Sequence, residues 1–81
     1  MRQFICTYKG CKGSLINIDN VISITPSTCV ENGEIKCYIV ITDINGKPHY
    51  VEMKSSDHML EKMTALERFL IEEQDKIFHL Y

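Results

Sequence analysis

Four cysteines (Cys6, Cys11, Cys29 and Cys37) and three histidines (His49, His58 and His79) are the side chains of this chain that could ligate a soft metal or pair as nucleophile and base. A zinc site usually takes its thiolates from pairs two to four residues apart, so that one turn presents both to the ion. Here four residues intervene between Cys6 and Cys11 and seven between Cys29 and Cys37, and one of each pair falls on a strand position facing the core. Free cysteine is among the most buried residue types. The four are therefore expected to be reduced and structural, with no metal, and a disulfide framework is not expected in a cytosolic setting.

The histidines read in the same way. His58 falls in the first turn of a helix, where a neutral imidazole can cap and the dipole opposes its protonation. His49 starts a strand beside Pro48, and His79 lies near the terminus, so neither meets a Cys, Ser or carboxylate at a spacing suited to nucleophilic catalysis. Ser14, Ser23, Ser27, Ser55 and Ser56 sit in turn or cap contexts. No catalytic residue, enzymatic activity or cofactor is expected. One anion signal remains: Lys9, Gly10, Cys11, Lys12 and Gly13 could offer two ammonium groups and backbone N–H groups to a phosphate, although no helix follows them.

These side chains hang on a scaffold whose centre is Lys36 to Met53. Ile35, Cys37, Ile39 and Ile41 recur at every second position, which aligns them on one strand face, and Asn45-Gly46 tolerates the positive φ of a tight turn. A three-residue loop Ile44-Asn45-Gly46 pairs Ile39 with Val51 and Cys37 with Met53. A two-residue loop at Asn32-Gly33 sets Val30 against Ile35 and Ile24 against Ile41, and it separates Cys29 from Cys37 onto opposite sides of the sheet. Pro26 belongs at an edge, because proline cannot donate to a ladder. Two further strands, 2–8 and 14–18, precede these, and Asn17, Asp19 and Asn20 break the second of them.

From Asp57 the apolar period changes to that of a helix. Met59, Met63, Leu66 and Leu70 share one face, Leu60 and Phe69 widen it, and Ser55, Ser56 and Asp57 are candidate caps. The pattern predicts one helix over about 57–78, roughly 30 Å long against strands of roughly 20 Å. Glu61, Glu67, Glu72, Glu73 and Asp75 form its solvated side. The fold class that follows is α+β: one domain with an antiparallel sheet of about five strands (2–8, 14–18, 21–30, 35–43, 48–54), a meander that can curl toward a barrel, with the helix packed across it.

Eighty-one residues allow one small core, and an apolar fraction of 44% with 25% charged residues is that of a globular chain. The net charge of −2 concentrates its acids after residue 55, which argues against a nucleic-acid partner. No run approaches the roughly 20 apolar residues of a membrane helix, and MRQFICTYKG lacks a signal-peptide core, so a cytoplasmic, soluble protein is expected. What exceeds the needs of a small core is apolar surface. Ile77, Phe78, Leu80 and Tyr81 lie beyond the expected end of the sheet, and Tyr38, Val40 and Tyr50 lie on the face away from the helix. Both sets are candidate partner-binding surfaces.

LINIDNVISITPST, then YIVITDINGKPHYVEMKSS, then an amphipathic helix resembles, over residues 14–69, the small flagellar FlbD-type proteins. That resemblance implies a motility-associated accessory protein with no enzymatic activity and no assigned site residues. The chain departs from the pattern in its CTYKGCKG connection, its longer VENGEIK hairpin, its cysteines and its apolar tail. IDNVISI before a hairpin and helix is also similar to the DNA-binding LytTR type, whose basic reading loops are absent here. The expected function is a non-catalytic interaction or regulatory module that forms a homo-oligomer and binds a protein partner. A small-ligand or nucleotide-binding regulator using residues 9–13 is the alternative, and nucleic-acid binding is third.

Overall fold

The computed structural model describes residues 3–7, 15–72 and 76–80. The architecture is α+β: among the described residues, six strands form two three-stranded sheets and one α-helix packs on the sheet. The strands are β1 (Phe4–Cys6), β2 (Leu15–Asn17), β3 (Val21–Glu31), β4 (Glu34–Asp43), β5 (Pro48–Met53) and β6 (Ile77–His79), with α1 (Ser56–Glu72) between the last two. Their order is β2-β1-β6 in one sheet and β3-β4-β5 in the other. No helix among the described residues is long and apolar enough to cross a membrane.

The β3-β4-β5 meander follows the alternation in the sequence. Val30 pairs with Ile35, Ile24 with Ile41, Ile39 with Val51 and Cys37 with Met53, as the two turns require. Asn32 (φ 52°) and Gly33 (φ 80°) form the two-residue turn, and Gly46 (φ 80°) takes the left-handed last position of the three-residue loop. Pro26 lies in β3, an edge strand. A short 3-10 turn at Ile18–Asn20 ends β2, with the Asn17 side chain accepting from the Asp19 amide at 2.9 Å.

One face of this meander carries the core. Ile39 and Ile41 are fully buried together with Ile5 and Leu80, and Met59, Leu66 and Phe69 of α1 close over them. Met63 and Leu70 pack on the same cluster, so the stripe read from the sequence is the buried one. Leu60 is a correction: it is 57% exposed and points away from the sheet. Ser55 caps α1 by accepting the His58 amide on its hydroxyl at 3.1 Å. His58 reaches back so that Nδ1 accepts the Lys54 amide at 3.3 Å, a capping role.

The C-terminal part differs most from expectation. The helix ends at Glu72 instead of near residue 78, and the chain returns as β6 to lie parallel to β1, with Ile5 opposite Phe78. The amide of Phe4 donates to Lys76 at 2.7 Å, and that of Leu80 donates to Cys6 at 2.9 Å. Gln3 fastens the same region: its Nε2 donates at 3.1 Å to the carbonyl of Phe69, in the last turn, where helix carbonyls lack partners of their own. The single five-strand sheet is thus replaced by two sheets, because β1 takes a second partner from the far end of the chain. The last turn of α1 carries acidic Glu72 and no basic residue, where a helix C-terminus disfavours negative charge, and this is the sequence signal for the earlier stop.

Candidate interaction surface

Strand alternation sends Cys37, Ile39 and Ile41 inward, so Lys36, Tyr38, Val40 and Thr42 of β4 face outward, flanked by Tyr50 and Glu52 of β5 and by Ser27 and Cys29 of β3. Helix and second sheet both pack on the opposite face, and Tyr50 remains 64% exposed. Tyr38 and Val40, on the central strand, are half-buried. The rings of Tyr38 and Tyr50 meet edge to face, their centroids 6.0 Å apart, a geometry that aromatic quadrupoles favour. Lys36 stands between Glu34 at 3.7 Å and Glu52 at 4.0 Å. Partial desolvation, then the carboxylates of Glu31 and Glu52, raise the Tyr38 hydroxyl above its ordinary value, so it stays a neutral donor at physiological pH. An aromatic centre with a charged rim is the composition of a protein-binding patch.

The other candidate patch is taken apart by the fold. Leu80 is fully buried in the core, and Phe78 is half-buried, its ring 5.3 Å from that of Phe69. Lys62 lies over the Phe78 ring at 5.8 Å and donates to the carbonyl of His79 at 3.1 Å. Ile77 is 43% exposed. The described part of the tail is therefore no helical overhang, and Phe78 and Leu80 serve the chain's own core. Tyr81 and the anion candidates Lys9, Gly10, Lys12 and Gly13 lie outside the described residues, as does Cys11.

The cysteines divide three ways. Cys37 is free and buried on the core side; Cys29 is free and exposed on the outer side, as the register requires. Partial desolvation and then the neighbouring Glu31 raise the Cys29 thiol above its ordinary value. Cys6, fully buried at the end of β1, is disulfide-bonded, which corrects the expectation that all four are reduced. Among the described residues no group of three or more His, Cys, Asp or Glu converges as a metal site would require.

One pairing was missed at the sequence level. His49 does meet a carboxylate: its Nε2 lies 3.0 Å from Asp43 Oδ2. The register made this legible, since Ile41 opposes His49 and Asp43 is the diagonal neighbour on the same face. Asp43 Oδ1 also accepts the amides of Asn45 at 2.9 Å and Lys47 at 3.0 Å, so its carboxylate closes the turn. The pair borders a recess of about 250 Å³ with Leu15, Ile16, Asn17 and Asn20. With Oδ1 holding the turn and Oδ2 holding His49, the carboxylate ties β4, the loop and β5 together as a structural lock.

That lock has a pH signature. The bond from His49, then those from the backbone, hold the Asp43 carboxyl below the usual carboxylate range. A carboxyl lowered on folding contributes stability that is fully present above its unfolded pKa of about 3.9 and lost as pH falls through the folded value. Asp43→Asn is expected to lower the urea midpoint at neutral pH, with the gap from wild type closing on acidification below about pH 4. An equal gap at all pH values would remove Asp43 from this role.

The chain matches no family model, no curated protein and no solved structure, so its functional reading rests on the geometry of its own surface.

Proposed function

We propose that this protein is a non-catalytic interaction module that works by self-association and partner binding through the outer face of β3-β4-β5. The observation that supports this reading is the Tyr38–Tyr50 patch, left open on a sheet whose other face already holds the core. A core that needs nothing from Tyr50 gives no folding reason to keep a large aromatic ring in water, whereas tyrosine is enriched at interfaces, where one end is desolvated and the hydroxyl stays bonded. The FlbD-type resemblance fits an accessory role of this kind and assigns no residue to it.

Light scattering of the full-length protein tests the reading. Wild type is expected to show a mass above that of one chain, and Tyr50→Ser is expected to lower it while far-UV circular dichroism stays unchanged, since an exposed substitution shifts stability by only about 0.5 kcal/mol. A protein monomeric at every accessible concentration, or an assembly indifferent to Tyr50→Ser, would remove the patch from self-association.

A further inference from the structure

β3 is an edge strand, and which of its amides are free follows from its turn. Across a two-residue hairpin the residues flanking the loop exchange both hydrogen bonds, and bonded pairs alternate from there. Glu31 and Glu34 flank the loop, so Cys29–Lys36 and Ser27–Tyr38 are bonded pairs, whereas Val30–Ile35, Thr28–Cys37 and Pro26–Ile39 are not. The amides of Thr28 and Val30 therefore point away from β4 toward the open edge. Pro26 points the same way, and its missing N–H costs the β3-β4 ladder nothing.

This part of the edge is also an arm. β5 ends at Met53, opposite Cys37, so the hairpin continues beyond it from Cys29 to Lys36 as two strands alone. On the core side of the arm Val30 and Ile35, paired with each other, are 72% and 74% exposed. On the outer side Cys29 is exposed and free.

We propose that this edge pairs with the same edge of a second copy of the chain, antiparallel, across a two-fold axis at Cys29. Only this register uses both outward residues fully: Thr28 of each copy exchanges two backbone bonds with Val30 of the other, four in all. Moving the axis to Thr28 would set Pro26, whose ring projects where an N–H would point, against Val30 of the second copy. Moving it to Val30 would carry Thr28 into the turn at Asn32. With the axis at Cys29, Glu31 faces Ser27 of the second copy and no like charges oppose. The two Val30 side chains gain cover, and the two outer sheet faces become one continuous surface.

The pairing has a covalent lock available. Cys29 faces its own copy in a non-bonded pair, where Cα atoms lie about 4.5 Å apart, inside the range a disulfide spans. With a small-molecule disulfide as oxidant, one Cys29 thiolate attacks it to form a mixed disulfide and release one thiol. The second Cys29 thiolate displaces the other thiol, so two protein thiols and one disulfide yield one inter-chain disulfide and two small thiols. A five-residue edge falls well short of the roughly 1,200 Å² that stable interfaces bury, so the lock matters.

The proposal rests on the self-association reading and adds the β3 edge to the outer face as a contact between copies, and the two fail separately. Full-length protein is incubated with glutathione disulfide and the bridged peptides are mapped, while light scattering reads the non-covalent mass. Wild type is expected to dimerise through Cys29 to Cys29. Thr28→Pro and Val30→Pro, which remove outward amides only, are expected to lower the covalent yield at least about ten-fold, and Pro26→Thr to raise it. Cys29→Lys sets two ammonium groups face to face at an exposed position and is expected to abolish the non-covalent dimer, which keeps the test decisive if a proline variant unfolds. Undiminished Cys29 bridging in folded proline variants, or a mass unmoved by Cys29→Lys, overturns the edge pairing. A mass that falls with Tyr50→Ser but not with Thr28→Pro leaves self-association standing without this interface, and a monomer throughout removes both.

Discussion

Leu80→Ala will destabilise the protein by about 2–5 kcal/mol, the range for removing a fully buried leucine and leaving a cavity. At 0.05–0.15 kcal/mol per residue, a chain of this length has roughly 4–12 kcal/mol of stability to lose, so deletion of residues 77–81 will abolish cooperative unfolding. The expectation comes from position. Leu80 is fully buried in the cluster with Ile5 and Ile39, its amide donates to Cys6, and the strand before it pairs with β1. Removing β6 exposes the edge of β1 and strips Phe69 of the Phe78 ring. Urea unfolding of Leu80→Ala at several protein concentrations is the check. A loss independent of concentration places Leu80 in its own chain's core, whereas a concentration-dependent one would return the tail to an intermolecular contact. Ile77→Ser, at a 43% exposed position, is the control and should change little.

Ile39→Ala carries the second large effect, again about 2–5 kcal/mol. Ile39 is fully buried on the central strand, between Pro26 on one side and Val51 on the other, beneath the helix stripe. No neighbour can collapse into the space without moving β4, the strand shared by both hairpins. Val40, one residue on, faces outward and is half-buried, so Val40→Ala should cost about 1 kcal/mol, a common size for point substitutions. The contrast between adjacent positions tests the face assignment directly. Comparable losses at the two sites, or a loss below about 1 kcal/mol at Ile39, would mean the sheet is turned over.

Local chemistry alone determined the β3-β4-β5 meander, its two turns, its register and the start of α1. A period of two, a glycine or asparagine at each positive φ and a serine cap are properties of neighbouring residues, and each is satisfied within a few positions of the chain. The same register placed Tyr38, Val40 and Tyr50 on the outer face, and it contained the Asp43–His49 diagonal for a reader who followed it one pair further. Tertiary structure decided the rest. Ile77, Phe78 and Leu80 fit a helix stripe, a strand or a loose end equally well, since three residues define no period. What makes them β6 is the open edge of β1, more than seventy residues earlier in the chain. A parallel pairing across that separation leaves no local signature, because its hydrogen bonds join backbones whatever their side chains. The second sheet, the burial of Leu80 and the freedom of the β3 edge all follow from that long-range choice.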